Sequence, residues 1–225
     1  AALPQSAKDW PAFRANNQCN ATSQVALSEA ADYGRLWWYH SGHDFTPTAP
    51  VTVGGMVFFG GSDGIVYALD AETGREKWKA YTGGAIRMSP AVWNRRVYVG
   101  SGDGWVYSYE AKTGELLWKF RAAPRERKIP VYGKLLSTWP VNSGVLIRGG
   151  TAYFAAGILN FDGTYVYAVD AVTGQIKWQN NTSGHLWKKA RTGVSVQGHM
   201  LIKGDKLYLA GGTSVSPAVY DINTG

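Results

Sequence analysis

Few residues of this chain have the types and spacing that catalysis or metal binding requires. The four histidines lack the paired spacing of zinc ligands. His43 and Asp44 form a neighbouring acid–base pair, although a single histidine in a loop is more often simply solvated. The Asp-Gly pairs at 63, 103 and 162 lack the several acids of a calcium loop and suit hairpin turns. We therefore predict no catalytic residue and no metal site.

The composition favours an all-β protein. Of 225 residues, 45% are hydrophobic and 17% charged, and the chain holds 28 Gly, 13 Tyr and 10 Trp. Glycine suits tight turns and aromatic residues suit strands. No apolar run approaches the ~20 residues of a membrane helix. The net charge of +7 admits an acidic partner, but basic groups do not alternate with aromatic residues, which disfavours nucleic acid.

An internal repeat dominates the sequence. Residues 57–78 read VFFGGSDGIVYALDAETGREKW, and residues 97–118 read VYVGSGDGWVYSYEAKTGELLW, 40 positions later. A third copy closes at Trp178 with additional residues around 121–138 and 158–164. Each copy reads as strand, hairpin turn, strand, turn and strand, and a further short strand, the inner strand, precedes each copy. A period of this length with four strands indicates a β-propeller blade.

The units divide the chain into an N-terminal extension, residues 1–34, and a run of blades, residues 35–225. Within that run we predict a closing strand at 35–42, because Trp38 lies 40 positions before Trp78. The blades are expected at about 49–78, 89–118, 141–178 and 196–225, the last one incomplete. Their inner strands are predicted at 49–53, 89–93 and 141–147.

The pattern D-A-x-T-G-x-x-x-W, seen as DAETGREKW, EAKTGELLW and DAVTGQIKW, resembles the tryptophan-docking motif of quinoprotein-type (PQQ-like) β-propellers. WPAFR at residues 10–14 and the segment from YGKLLSTWP onward are similar to exported bacterial, planctomycete-like propellers of this type. The resemblance implies that each tryptophan packs on the neighbouring blade. It assigns structural docking to Trp38, Trp78, Trp118, Trp178, Asp70, Gly74, Gly114, Asp170 and Gly174.

The resemblance also implies an exported protein, periplasmic or extracellular after removal of a signal peptide. Propellers of this type usually close with more blades than this chain contains. We therefore expect an all-β propeller of four-stranded antiparallel blades that forms part of a larger ring. The remaining blades would come from a longer parent chain or from another chain. The alternative is a small ring in which strand 35–40 pairs with strand 218–221.

Loops that join one blade to the next rim the central channel of a propeller and commonly hold ligand sites. The longest, residues 119–140, is basic and then aromatic. The candidate residues for ligand or partner binding in these loops are His43, Asp44, Arg87, Lys134, Trp139 and Arg191.

Two functions remain open at this point. The first is a non-catalytic scaffold or binding module of an exported or cell-envelope protein, with a protein or polymer partner and no cofactor. The second is a fragment of a dehydrogenase that depends on pyrroloquinoline quinone (PQQ) and calcium, with its other site residues in missing blades. The single cysteine, Cys19, excludes the adjacent-cysteine disulfide that is common in the alcohol-oxidising members. A carbohydrate-active propeller is disfavoured, because few paired acids lie outside turns.

Overall fold

A computed structural model describes residues 6, 8–23, 25, 26, 29, 34–184, 192–196, 198–212 and 215–225. Within these ranges the protein consists of antiparallel sheets and contains no α-helix. A single short 3₁₀ helix covers Asn160–Asp162 in this part of the chain. The described ranges include no helix with the length and apolar character of a membrane span.

Among the residues that the structure describes, three sheets have four strands each, paired in chain order. The first comprises β1 (Val51–Val53), β2 (Met56–Gly60), β3 (Ile65–Asp70) and β4 (Glu76–Tyr81). The second comprises β5 (Ala91–Trp93), β6 (Arg96–Gly100), β7 (Trp105–Glu110) and β8 (Leu116–Arg121). A separate hairpin follows, formed by β9 (Lys128–Val131) and β10 (Lys134–Ser137).

The third sheet comprises β11 (Leu146–Arg148), β12 (Thr151–Ala156), β13 (Tyr165–Asp170) and β14 (Ile176–Asn180). A fourth sheet contains three strands among the described residues: β15 (Leu201–Lys203), β16 (Lys206–Leu209) and β17 (Ala218–Asp221). The predicted all-β propeller architecture is confirmed. The inner strands β1, β5 and β11 begin within or at the end of the predicted segments but are shorter.

The core lies between the faces of successive sheets. The middle strands β2, β3, β6, β7, β12 and β13 are buried along most of their length, because both faces of each sheet are covered. The outer strand β4 instead alternates exposed and buried residues, and buries only Trp78 and Ala80. The sequence therefore shows continuous apolar runs in the middle of each unit and a polar last strand.

Each sheet is joined to the next by a tryptophan at the end of one repeat. The Nε1 atom of Trp78 donates a hydrogen bond to the carbonyl oxygen of Ala111 at 2.9 Å. Trp118 donates in the same way to Ala171 at 3.1 Å, and Trp178 donates to Ile222 at 2.9 Å. The indole rings lie against the glycine that ends the turn of the receiving sheet: Gly114, Gly174 and Gly225.

The first member of this series is Trp37, and the assignment of docking to Trp38 is wrong. Trp37 Nε1 donates to the carbonyl oxygen of Ala71 at 2.9 Å, and its ring lies against Gly74. The side chain of Trp38 is 73% exposed, with the guanidinium of Arg35 over its ring. Residues 35–42 form no strand, so the constant offset of the repeat does not apply to them.

The turn that receives each tryptophan is held by an acidic side chain. Asp70 Oδ1 accepts hydrogen bonds from the backbone N–H of Glu72 and Thr73 and from the Thr73 hydroxyl. Hydrogen bonds from Lys77 and Thr73 lower the pKa of Asp70 to about 2. The corresponding turns have the same arrangement around Glu110, Asp170 and Asp221. The D-A-x-T-G motif is therefore a side-chain-supported turn.

The alternative of a small closed ring is wrong for the described residues. Strand β17 pairs with β16 alone, and no pairing joins it to residues 35–40. Residues 35–40 instead lie against the first sheet, where Tyr39 packs edge-on to Phe59 and Tyr67.

Residues of the N-terminal extension also contact the sheets. Trp10 and Thr52 exchange backbone hydrogen bonds of 2.7 and 2.9 Å.

Candidate ligand site at the rim of the first two sheets

The turn between β2 and β3 places the Asp63 carboxylate at the rim of the first sheet. Its Oδ1 accepts the backbone N–H of Ile65 at 3.1 Å, which is the usual arrangement in such a turn. Its Oδ2 accepts the Tyr67 hydroxyl at 2.7 Å. Burial alone would raise the pKa of Asp63, but hydrogen bonds from Tyr67 and His43 hold that pKa below its usual value.

His43 lies beside this carboxylate. Its Nε2 is 2.9 Å from Asp63 Oδ2, and its side chain is 47% exposed. The predicted acid–base pair of His43 with Asp44 is therefore replaced by a pair of His43 with Asp63. In the second sheet, Asp103 takes the place of Asp63 and accepts the Tyr107 hydroxyl at 2.6 Å and the backbone N–H of Gly83 at 2.8 Å.

The loop from β4 to β5 forms the second wall of the site. Gly84 packs directly on the backbone of the neighbouring turn, where an added Cβ would lie 2.6 Å from Asp103 N. The Thr82 hydroxyl donates to the carbonyl oxygens of Gly64 and Gly84 and fixes the loop. Arg87 extends from this loop and is exposed.

The β9–β10 hairpin forms the third wall. It is part of the long segment 119–140, and it folds back over the rim of the first sheet. Lys134 Nζ, near its tip, donates to the carbonyl oxygen of Ser62 at 3.2 Å. Tyr132 at the tip is fully exposed and has a positive φ of 47°. The hairpin thus carries a cation and an aromatic ring to the edge of the cavity.

The three walls enclose an open cavity of about 630 Å³. It is lined by residues 62–63, 82–85, 131–132 and 134–136 together with Arg87. Within the described part of the chain, no carboxylate lies within ion-pair distance of Arg87 or Lys134, whereas Asp63 is already bonded to His43 and Tyr67. The cavity therefore presents to a ligand two cations without a carboxylate partner among the described residues, and one of them, Lys134, also donates to the Ser62 carbonyl oxygen.

The other predicted site residues lie elsewhere. Asp44 lines a separate cavity of about 420 Å³, which is largely apolar and is bounded by Trp37, Phe45 and Phe59. Arg191 lies outside the described residues.

Trp139 is a core residue, so its assignment to ligand binding is wrong. It is 3% exposed, and its Nε1 donates to the carbonyl oxygen of Asp162 at 2.6 Å. The guanidinium of Arg127 lies 5.0 Å from its ring centre and also binds Asp162 Oδ1 at 2.6 Å. This arrangement attaches the long segment to the third sheet.

Two residues of the site were not among the sequence candidates. Asp63 was interpreted as a turn residue, which it is, but the same carboxylate also binds His43. Tyr132 belongs to the sequence VYGK, a glycine-containing turn between apolar residues that is typical of a hairpin. That signal was available in the sequence, but the position of the hairpin over a distant sheet was not.

The donor set does not fit the calcium ion that the quinoprotein resemblance implies. Calcium takes six or more oxygen ligands, several of them carboxylates. The described residues include no group of three or more His, Cys, Asp or Glu side chains placed to hold a metal ion. The acids instead serve the turns, as Asp70 and Asp170 do.

Comparison with known proteins places the repeat in a family. A family model described as outer membrane protein assembly factor BamB, of the PQQ-repeat type, matches residues 21–225. The chain belongs to this family. This PQQ-repeat propeller is 40% identical over 63 residues to quinoprotein alcohol dehydrogenase PedE of Pseudomonas putida. It is 36% identical over 63 residues to a quinoprotein ethanol dehydrogenase of Pseudomonas aeruginosa.

These matches are partial. The 63 residues are 28% of this PQQ-repeat propeller and 10% of the length of each relative. Among solved structures, a quinohemoprotein alcohol dehydrogenase from Pseudomonas putida aligns with 98% of the chain and 39% of its own length, at a TM-score of 0.79 and 20% identity. BamB from Moraxella catarrhalis aligns with 75% of the chain and 47% of its own length, at a TM-score of 0.57 and 18% identity. The structural matches show the fold.

Proposed function

We propose that this PQQ-repeat propeller is a non-catalytic binding module that holds an acidic segment of a protein partner in the rim cavity. The observation that carries the proposal is the pair of cations, Arg87 and Lys134, which have no carboxylate partner among the described residues and extend from two walls of one cavity of about 630 Å³. Carboxylates form charge-assisted hydrogen bonds with such groups. The exposed ring of Tyr132 at the edge suits a protein interface, where tyrosine is enriched.

Two further observations support a binding role. Asp63 is the one carboxylate among the described lining residues, and it is bonded to His43 and Tyr67, so the lining offers no carboxylate pair for acid–base catalysis. The family is described by the name of an outer membrane protein assembly factor. The family and the similarity of WPAFR at residues 10–14 to exported propellers support a periplasmic or extracellular location.

Binding of a fluorescently labelled glutamate hexapeptide tests the proposal. The double variant Arg87→Ala with Lys134→Ala is expected to weaken binding about tenfold or more, since each charged contact contributes on the order of 1 kcal/mol. The control is Arg75→Ala with Lys112→Ala. It removes the same charge from exposed residues in turns at the opposite ends of the sheets. Equal weakening by both pairs would mean that only the net charge attracts the peptide.

A second candidate function is part of a quinone-dependent alcohol dehydrogenase. It is favoured by the 40% identity over 63 residues with PedE, while the absence of a calcium ligand set among the described residues speaks against it. Calorimetry of this chain with PQQ and Ca²⁺ separates the two candidates. We expect no tight binding, and a submicromolar dissociation constant would favour the dehydrogenase.

A further inference from the structure

The inner strands of the four sheets share one unusual contact. Inner strands β1, β5, β11 and β15 each have three residues, and the middle residue pairs with the residue five positions later on the next strand. These middle residues, which are structurally equivalent, are Thr52, Val92, Ile147 and Ile202. The edge of an inner strand that faces away from its own sheet presents unpaired backbone groups, which need partners when buried.

One segment near the N-terminus binds all four of these residues. Trp10 exchanges backbone hydrogen bonds with Thr52 at 2.7 and 2.9 Å, and the Pro11 carbonyl accepts the N–H of Val92 at 2.8 Å. Asn17 serves two sheets: its side-chain amide donates to the Ile147 carbonyl at 2.7 Å, and its own carbonyl accepts the N–H of Ile202 at 2.7 Å.

Further contacts hold the middle and the two ends of this segment, residues 9–19. Asp9 Oδ1 accepts the N–H of Gly54 at 3.1 Å. The Phe13 ring stacks on His199 with a centroid separation of 3.8 Å and an angle of 3°. The Cys19 thiol lies 3.7 Å from the Met200 carbonyl oxygen. The hydrogen bonds of Trp10, Pro11 and Asn17 to the inner strands follow the chain in the same order as the sheets.

We propose that the inner edges of the four sheets form one binding surface for an extended peptide, and that residues 9–19 are its resident occupant, a strap. The strap gives the middle residue of each inner strand a hydrogen-bond partner and so fixes the spacing of the sheets. This inference is independent of the ligand proposed for the rim cavity.

If the strap is one unit, its contacts open together. Three amides report this directly, because Thr52, Val92 and Ile202 donate to the strap from three different sheets. In native-state hydrogen exchange of the full chain, measured against denaturant, we expect these amides to share one opening free energy. The buried amide of Ala123, which donates to Gly104 and not to the strap, should open separately. Three unrelated opening free energies would overturn the proposal.

Variants of the full chain provide the second measurement. Asn17→Ala with Phe13→Ala should raise exchange about tenfold or more at all three amides. It should also raise the rate at which a thiol reagent labels Cys19, the single cysteine of the chain. Gln18→Ala, in an exposed residue of the same segment, is the control and should change neither rate. Acceleration at Ile202 alone would show local contacts and no strap. If the double variant does not fold, the wild-type exchange measurement still decides.

Discussion

The indole Nε1 of Trp78 and the carbonyl oxygen of Ala111 are 2.9 Å apart, although the residues belong to different sheets and are separated by 33 positions. The ring of Trp78 is 8% exposed and also packs near Phe58 and Tyr109. The last strand of the first sheet, β4, is therefore attached to the turn between β7 and β8 of the second sheet. This contact joins the sheets that form the rim cavity.

Replacement of Trp78 should be costly, because it removes a buried ring and a hydrogen bond between sheets. We expect Trp78→Ala to lower the free energy of unfolding by about 3–5 kcal/mol. The control is Trp38→Ala, at a residue that is 73% exposed, with an expected change within about 0.5 kcal/mol. Denaturant unfolding measures both. Similar losses for the two variants would contradict the docking contact of Trp78 and the exposure of Trp38.

Gly114 is expected to tolerate no side chain. Its φ is +74°, and an added Cβ would lie 2.7 Å from the Trp78 ring. Gly55 has a similar φ of +77° but open space around it, so it isolates the backbone cost. We expect Gly55→Ala to cost about 1–2 kcal/mol, and Gly114→Ala to cost about 1–3 kcal/mol more from overpacking. Equal losses in thermal unfolding would show that the indole moves aside freely.

Stability should fall as the pH drops from about 6.5 to about 4. Burial lowers the pKa of His199 to about 4 from an ordinary value of 6.5. Between these values the unfolded chain holds a proton that the folded chain lacks, so acidification favours unfolding. His199→Phe keeps a ring against Phe13 and should remove this part of the pH dependence. Identical pH profiles for the two proteins in thermal unfolding would contradict the prediction.

The apolar cavity beside the first sheet should promote association. We propose that this face packs against a further blade, from the same polypeptide or another chain, because Trp37 occupies there the place that Trp78 and Trp118 occupy between sheets. The isolated 225-residue chain is therefore expected to self-associate in sedimentation velocity. Phe45→Glu should weaken association, and Tyr132→Glu, at the exposed hairpin tip, should not. A monomer at high concentration would contradict this.

The repeat in the sequence predicted the strands and turns because each unit carries its own local signals. Trp37 and Trp38 show where this reasoning stops: two adjacent tryptophans both satisfy an approximate period, and only the contact with Ala71 and Gly74 distinguishes them. Arg87 and Lys134 were predicted as rim residues, and they line one cavity. Their meeting depends on the β9–β10 hairpin, whose tertiary position leaves no mark in a local pattern. The strap at residues 9–19 lies outside the repeat and has no periodicity to reveal it.

The tryptophan contacts all run in one direction. Trp37, Trp78, Trp118 and Trp178 each reach forward to the turn of the following sheet, and none of these four reaches back. The array therefore has a polarity, and its stability is approximately a sum of nearest-neighbour terms. Loss of a central link, such as that of Trp118, should divide the array into two halves that unfold at different denaturant concentrations. Loss of the Trp178 link should release the last sheet while the preceding sheets remain a single cooperative unit.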